Sequence, residues 1–213
     1  MSTVISFGAS ITYGSELPDQ THTWSSIIAR NLGLDYLCLA KPAAANSGIA
    51  RTIMSYENYK DDLILVMWTS STRYEFRTES DWEHISPWSD QTGFVQQWYR
   101  GPGQYEYTEV VTTLKEILLA TSFLKKIGQK FLFVFDNDEL RTSHTWSLDD
   151  PYIRTLTSML PWDNILWFED TGFLNWCQDK QYSFINSHPA ADAHLAAANY
   201  ILANRSFMVS KIS

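Results

Sequence analysis

Short apolar runs rich in β-branched and aromatic residues alternate along this chain with longer segments of helical period, and this alternation most constrains the fold. The runs are apolar at consecutive positions, so both faces of each predicted strand are expected to be buried, which is typical of a parallel sheet covered by helices. The sequence therefore predicts an α/β fold with three layers, α/β/α, around a five-stranded, mostly parallel sheet. The predicted strands are Thr3 to Phe7, Tyr36 to Leu39, Leu63 to Trp68, Phe131 to Phe135 and Ile165 to Phe168. The predicted helices are Trp24 to Leu32, Ser47 to Tyr56, Thr108 to Ile127 and Ala190 to Ala203.

One long stretch, residues 70–107, has no sustained period of either kind and is rich in Trp, Pro and Gly. Segments of this length inside compact domains are usually lids or binding loops, or mark an element that the pattern does not reveal. A short helix is predicted near Phe94 to Tyr99. Since no internal repeat or Gly/Ser-rich linker is present, we predict a single domain over residues 1–213 with an aromatic-rich insertion at about 70–107.

Charge and cysteine usage exclude several classes of function. The net charge is -8 and no segment concentrates Lys or Arg, so a nucleic-acid partner is not expected. Cys38 and Cys177 stand alone, without metal-ligand spacing, so we expect free thiols in a reducing compartment and neither a metal nor another cofactor. No signal peptide or membrane-spanning run is apparent, which predicts a protein without a membrane partner. The sequence leaves the oligomeric state open.

The first chemical candidate is Ser10, in the segment Phe7-Gly8-Ala9-Ser10-Ile11-Thr12-Tyr13-Gly14 at the end of the first predicted strand. The carboxyl edge of a parallel sheet is where α/β folds place their sites. A serine there can act as a nucleophile while the backbone N–H groups that follow stabilise an oxyanion. The alternative is that the two glycines belong to an ordinary turn and that Ser10 caps a helix.

The second candidate is His188, in the segment Asn186-Ser187-His188-Pro189 before the last predicted helix. A histidine at this place can reach the sheet edge and act as a general base toward Ser10. A lone histidine is more often a surface or capping residue. The combination of Ser10 and His188 is what favours a catalytic interpretation of both.

These two segments resemble the SGNH (GDSL-like) hydrolase family, whose nucleophile lies in a Gly-Asp-Ser-Leu-like block near the N-terminus. Here that block reads Gly8-Ala9-Ser10-Ile11, and His188-Pro189 matches the last block, where the catalytic histidine precedes a proline and a closing helix. The order of elements agrees over essentially the whole chain. The resemblance implies a flavodoxin-like SGNH hydrolase fold, with Ser10 as nucleophile and His188 as general base.

The two middle blocks of the family match less closely. The family's second-block glycine, whose backbone N–H joins the oxyanion hole, corresponds to Ala43. The third-block asparagine, the other donor, corresponds to Ser71 in Trp68-Thr69-Ser70-Ser71-Thr72-Arg73, with Ser70 as an alternative donor. The resemblance thus implies an oxyanion hole of Ser10, Ala43 and Ser71. This variant of the third block is similar to phage-like members, so a virion-associated location stands beside a cytoplasmic one.

The acid of the family's catalytic triad is missing from its expected place. The family has an aspartate three residues before the histidine, and that position holds Ile185. Asn186 or a backbone carbonyl is predicted to orient the imidazole instead, without the charge stabilisation that a carboxylate gives. Asp192 and His194, in the first turn of the last predicted helix, are assigned structural roles.

Other polar residues follow the predicted strands at the same sheet edge. Asn46, Ser70, Arg73 and Glu75 are candidates for substrate contact, with a salt bridge between Arg73 and Glu75 as the alternative. The acidic run Asp136-Asn137-Asp138-Glu139 is interpreted as a solvated turn, because no histidine or calcium-loop pattern accompanies it.

Two functions remain open from the sequence. The first is a serine esterase acting on a small acyl ester or an acylated, for example acetylated, carbohydrate, since the resemblance implies such esters and Trp rings stack well on sugars. The second is an SGNH scaffold with weakened catalysis that serves as a binding or structural protein, which the missing acid and the Asn-to-Ser change favour.

Overall fold

The computed structural model describes residues 2–79, 81–89, 93–101, 106–142 and 150–204, and its centre is a parallel sheet. Four strands pair in the order β2-β1-β3-β6. Their bounds are β1 Thr3–Phe7, β2 Asp35–Cys38, β3 Leu63–Trp68 and β6 Lys130–Phe135. The three-layer architecture and the parallel sheet are as predicted, and the bounds of β1 and β3 are the predicted ones.

Strand residues alternate between two separate cores. In β3, Ile64, Val66 and Trp68 pack on one face of the sheet, while their neighbours Leu63, Leu65 and Met67 pack on the other. Successive side chains of a strand point to opposite faces, and here both faces are covered by helices. This explains why the strand positions are uniformly apolar.

The helices divide between these two faces. One face packs against α3 Asn46–Ser55, α5 Glu106–Lys126 and α7 Pro151–Ser158. The other packs against α2 Trp24–Leu32, α8 Phe173–Asp179 and α9 Ala191–Asn204. The remaining described α-helices are short: α1 Ser10–Tyr13, α4 Gly93–Arg100 and α6 Glu139–Thr142. In the part of the chain that the structure describes, none of the helices is both long and apolar enough to cross a membrane.

The predicted fifth strand, Ile165 to Phe168, is reduced to a single bridge between Ile165 and Phe133. The Asn164 side chain donates to the Phe131 carbonyl at 2.9 Å. This β6 carbonyl therefore bonds a side chain instead of the backbone N–H of a longer neighbouring strand. Beyond it, Phe168 exchanges hydrogen bonds with Thr171, so the chain turns back on itself. The sheet therefore has four strands rather than five.

The insertion contains regular structure that the sequence pattern did not reveal. Strands β4 Tyr74–Arg77 and β5 Trp82–Ile85 form an antiparallel hairpin, and α4 lies over it where a short helix was predicted. Phe76 contacts both Phe94 and Trp98 of α4, with ring centroids 5.1 Å apart in each pair. These aromatic side chains of the insertion thus pack against one another on the surface, and none of the α4 residues is buried.

Candidate active site

Ser10 opens α1, directly after β1 and at the carboxyl edge of the sheet. A side chain at Gly8 would lie 2.8 Å from Thr12 Cβ, so glycine is required for the chain to enter this turn. Gly14 ends the turn in the left-handed conformation, and its N–H donates to the Ser10 carbonyl at 3.0 Å. The Ser10 hydroxyl itself takes part in none of the hydrogen bonds recorded among the described residues.

His188 comes to this region on a second hairpin, formed by β7 Phe184–Ile185 and β8 His188–Pro189. Ile185 is the direct cross-strand partner of His188, so the position of the family's aspartate lies beside the histidine but carries an apolar side chain. Asn186 is exposed and occupies the turn with a φ of 51°. No hydrogen bond between Asn186 and the imidazole is recorded in the described structure, which does not favour the predicted orienting role.

A carboxylate from elsewhere approaches the imidazole. Glu16 Oε2 lies 3.5 Å from His188 Nδ1, and Glu16 belongs to the loop that follows α1 and Ser10. Glu16 was not among the predicted site residues, because it follows the segment with Ser10 and is far in sequence from His188. Through this contact the last hairpin lies against the loop that carries Ser10.

His194 fixes the base of the same hairpin. Its buried Nδ1 accepts a hydrogen bond from the Trp24 backbone N–H at 3.1 Å, and its ring also bonds the Pro189 carbonyl. Burial, followed by the nearby His188, lowers the pKa of His194 to about 4, so the ring is neutral at pH 7. His194 therefore has the structural role assigned to it, and it joins α9, α2 and the residue after His188. The Asp192 carboxylate also accepts a hydrogen bond from the Ser183 backbone N–H, just before this hairpin.

Ala43 adopts the backbone conformation that usually requires glycine. Its φ is 62°, in a turn closed by the Ala44 N–H and the Lys41 carbonyl at 3.2 Å. Ala43 is exposed, and its N–H is in none of the hydrogen bonds recorded for the described residues. Alanine thus reaches the left-handed region at this place without losing the free donor.

Ser70 and Ser71 are committed to another group. The Ser71 N–H and hydroxyl donate to Glu139 Oε2 at 2.8 and 2.9 Å, and the Ser70 hydroxyl donates to Glu139 Oε1 at 2.8 Å. The predicted free donor at Ser71, and the alternative at Ser70, are therefore not available in this structure. Local sequence patterns could not predict this contact, because Glu139 is 68 residues away from Ser71.

The surroundings of Glu139 are acidic and buried. Asp136 is 5% exposed and accepts a hydrogen bond from the Thr69 hydroxyl at 2.7 Å, so the interpretation of this run as a solvated turn is wrong. Burial raises the pKa of Asp136 to about 7. Burial, and after it the charge of Glu139, raises the pKa of Glu109 on α5 to about 7. No group of three or more His, Cys, Asp or Glu side chains within the described ranges is placed to hold a metal ion.

The other predicted substrate contacts have internal partners. Asn46 is buried and exchanges two hydrogen bonds of 2.9 Å with the Thr69 backbone, a structural clamp between α3 and the end of β3. Glu75 is buried and binds Arg51 at 2.9 Å, so the predicted salt bridge with Arg73 is wrong. Arg73 instead lies 5.7 Å from the ring centroid of Trp88. Of these candidates, only Arg73 remains near an exposed surface, since Trp88 is 70% exposed.

Comparison with known proteins identifies the fold. No family model matches the chain, and no curated protein matches it in sequence. Among solved structures, the psychrotrophic esterase EstA from Pseudoalteromonas sp. has a TM-score of 0.56 at 11% identity, with 99% of this chain and 100% of that chain covered. A lipolytic G-D-S-L family protein from Veillonella parvula has a TM-score of 0.51 at 14% identity, with 95% and 97% covered. The acetyl xylan esterase Est2A from Butyrivibrio proteoclasticus has a TM-score of 0.56 at 13% identity, covering 100% of this chain and 65% of that one.

The chain therefore has the fold of the SGNH hydrolases. At these identities the comparison extends to the fold alone, and the chemistry depends on the residues of this chain.

Proposed function

We propose that this protein is a serine esterase in which Ser10 is the nucleophile and His188 the general base. The observation that carries the proposal is the meeting of the two chain regions: Ser10 begins the turn after β1, and the hairpin with His188 contacts the same loop through Glu16. The SGNH fold, with its site at the carboxyl edge of the parallel sheet, supports the assignment.

The reaction proceeds in two halves. Ser10 Oγ attacks the ester carbonyl carbon while His188 Nε2 takes the hydroxyl proton, and collapse of the tetrahedral intermediate expels the alcohol, which receives that proton. Water then attacks the acyl-serine, again giving a proton to His188. The acid leaves, and Ser10 regains its proton, so one ester and one water yield one acid and one alcohol.

The oxyanion donors are the backbone N–H groups of Ser10 and Ala43. Backbone donors held in place before the reaction stabilise the developing charge without reorganisation. Ala43 has the conformation of a glycine, with a φ of 62°, and its exposed backbone N–H is not recorded as bonded in the described structure. Ser71 is left out of this set because Glu139 accepts from both of its donors.

The substrate class is a small acyl ester or an acylated carbohydrate. Two of the similar structures are named as acetyl xylan esterases, which act on acetylated sugars by that name. In this chain the exposed rings of Trp88 and Phe94, on the insertion, are suited to stack on a sugar face.

The test is labelling with a fluorophosphonate probe together with hydrolysis of p-nitrophenyl acetate. We expect wild type to be labelled and to turn over the ester, and Ser10→Ala to lose both. Ser15→Ala, which removes a hydroxyl from the same loop, is the matched control and should keep both. Absence of labelling in wild type, or turnover that persists in Ser10→Ala, would contradict the esterase proposal.

A second function is favoured by one observation. The third-block side of the site is the part formed by Ser70 and Ser71. Because the hydroxyls of both residues already donate to Glu139, this side has no free hydroxyl to offer an oxyanion. A binding protein that retains the SGNH scaffold without efficient turnover would have this arrangement. In the experiment above it would show no turnover that depends on Ser10, and in a separate binding assay wild type and Ser10→Ala would bind acylated sugars equally well.

A further inference from the structure

We propose that Glu16 is the positioning carboxylate for His188, so that one loop carries both the nucleophile and the acid of the triad. The juxtaposition is the 3.5 Å between Glu16 Oε2 and His188 Nδ1. The inference rests on the proposed esterase function and adds a residue that the sequence pattern did not indicate.

The local structure leaves this role to Glu16. Ile185, which faces His188 across the hairpin, has no hydrogen-bonding group, and Asn186 is turned into solvent. The Ser187 hydroxyl is also 3.5 Å from Nδ1 but carries no charge. The charged or titratable groups recorded near the ring are Glu16 and His194, and His194 is neutral at pH 7.

The loop fixes Glu16 relative to Ser10 through its own hydrogen bonds. The Ser15 N–H donates to the Ser10 carbonyl at 3.0 Å, and the Leu17 N–H donates to the Gly14 carbonyl at 3.1 Å. Glu16, between them, has a φ of 70°. A non-glycine residue is rarely held in this conformation, which here directs the carboxylate toward the last hairpin.

The pair is partly shielded from solvent. The side chains of His188 and Glu16 are 20% and 29% exposed, so solvent screens them only in part. The separation is longer than a charge-assisted hydrogen bond, and such contacts in free enzymes shorten when substrate excludes water.

The expected role is to hold the proton of the neutral imidazole on Nδ1. Nε2 is then unprotonated and able to take the Ser10 proton, and the carboxylate stabilises the imidazolium that forms. Glu16 acts on the imidazole alone and does not contact the ester.

The kinetic test compares Glu16→Gln and Glu16→Asp with wild type on p-nitrophenyl acetate. Glu16→Gln should lower kcat by roughly 100-fold or more with KM within about twofold, as expected when an orienting carboxylate is lost. Glu16→Asp should recover part of kcat.

The matched control is Glu57→Gln, which removes an exposed carboxylate beyond α3 and should leave kcat unchanged. If Glu16→Gln keeps kcat within about twofold of wild type while Ser10→Ala is inactive, Glu16 is not the positioning residue although the esterase proposal stands.

A second measurement is independent of turnover. Two-bond ¹H–¹⁵N correlation spectra report the tautomer of each histidine, and His188→Asn identifies the signals of His188. We expect the Nδ1–H tautomer in wild type and in Ser10→Ala, and a shift toward the Nε2–H tautomer in Glu16→Ala. If the tautomer is the same in Glu16→Ala, the inference is overturned, even where wild type proves inactive and the esterase proposal fails for its own reasons.

Discussion

The two sides of the candidate site use their polar groups in opposite ways. On the nucleophile side, Ser10 and the Ala43 N–H have no recorded partners among the described residues, and Glu16 approaches His188. On the third-block side, Ser70 and Ser71 already donate to Glu139, and Asp136 in the same acidic run is buried. A hydroxyl and an N–H without a recorded protein partner are open to a ligand, whereas donors that are already bonded to a carboxylate are not. The difference favours the Ser10 side as the place of the proposed chemistry.

The largest predicted difference between the two sides is in kcat/KM, measured for one substitution on each side. His188→Asn should lower kcat/KM on p-nitrophenyl acetate by roughly 10³-fold, since the general base is lost. Ser71→Ala should stay within about twofold, because its hydroxyl is already given to Glu139. Steady-state kinetics of both variants checks this. A loss of 100-fold in Ser71→Ala, the size expected for an oxyanion donor, would show that the Glu139 contact opens during the reaction.

The next effect concerns stability on the third-block side. Burial raises the pKa of Glu109 from 4.5 to about 7, so the folded state holds this proton more tightly than the unfolded chain does. The associated stability is present below pH 4.5 and is lost as the pH rises to 7. Glu109→Gln should therefore raise the free energy of unfolding by about 1–3 kcal/mol at pH 8 and leave it unchanged at pH 4.

Urea denaturation at both pH values checks this expectation, with the exposed Glu57→Gln as control. An equal gain at both pH values would mean that the amide acts through packing rather than through charge.

The smallest effect is expected for catalysis on the same side. Glu139→Gln removes a negative charge that contacts Ser70 and Ser71, in the block that the family resemblance places next to the oxyanion, and an amide oxygen at the Oε2 position can still accept from both. The rate constant kcat should rise by about threefold, because a nearby anion opposes the developing charge. KM should not change. A fall in kcat would instead assign Glu139 a supporting role in the site.

The sheet could be predicted because burial on both faces leaves an unbroken apolar run, as in Leu63–Trp68. The fifth strand could not, since its pairing ends at a turn where Glu169 and Asp170 have φ values of 48° and 70°, and neither residue type signals this. The hairpin of the insertion escaped detection because each of its strands has only four residues. Period-two alternation is weak over so short a length.

The two ends of the candidate site could be proposed from the sequence, whereas its contacts could not. Ser10 and His188 stand out by their places next to a strand and a helix. The pairs Glu16–His188 and Glu139–Ser71 are long-range contacts, which depend on how distant loops meet at the sheet edge. Local sequence patterns carry no information about such long-range contacts. The family resemblance placed the acid at the position of Ile185 instead.

The contact between Glu16 and His188 also has a consequence for the order of events during synthesis. The loop with Ser10 is synthesised long before the hairpin with His188. Bringing together segments so far apart in the chain carries a loop-closure entropy that contacts already formed must offset. In the proposed esterase, a nascent chain that stops before His188 presents Ser10 without its base, so hydrolysis of an ester begins only after that hairpin has been made.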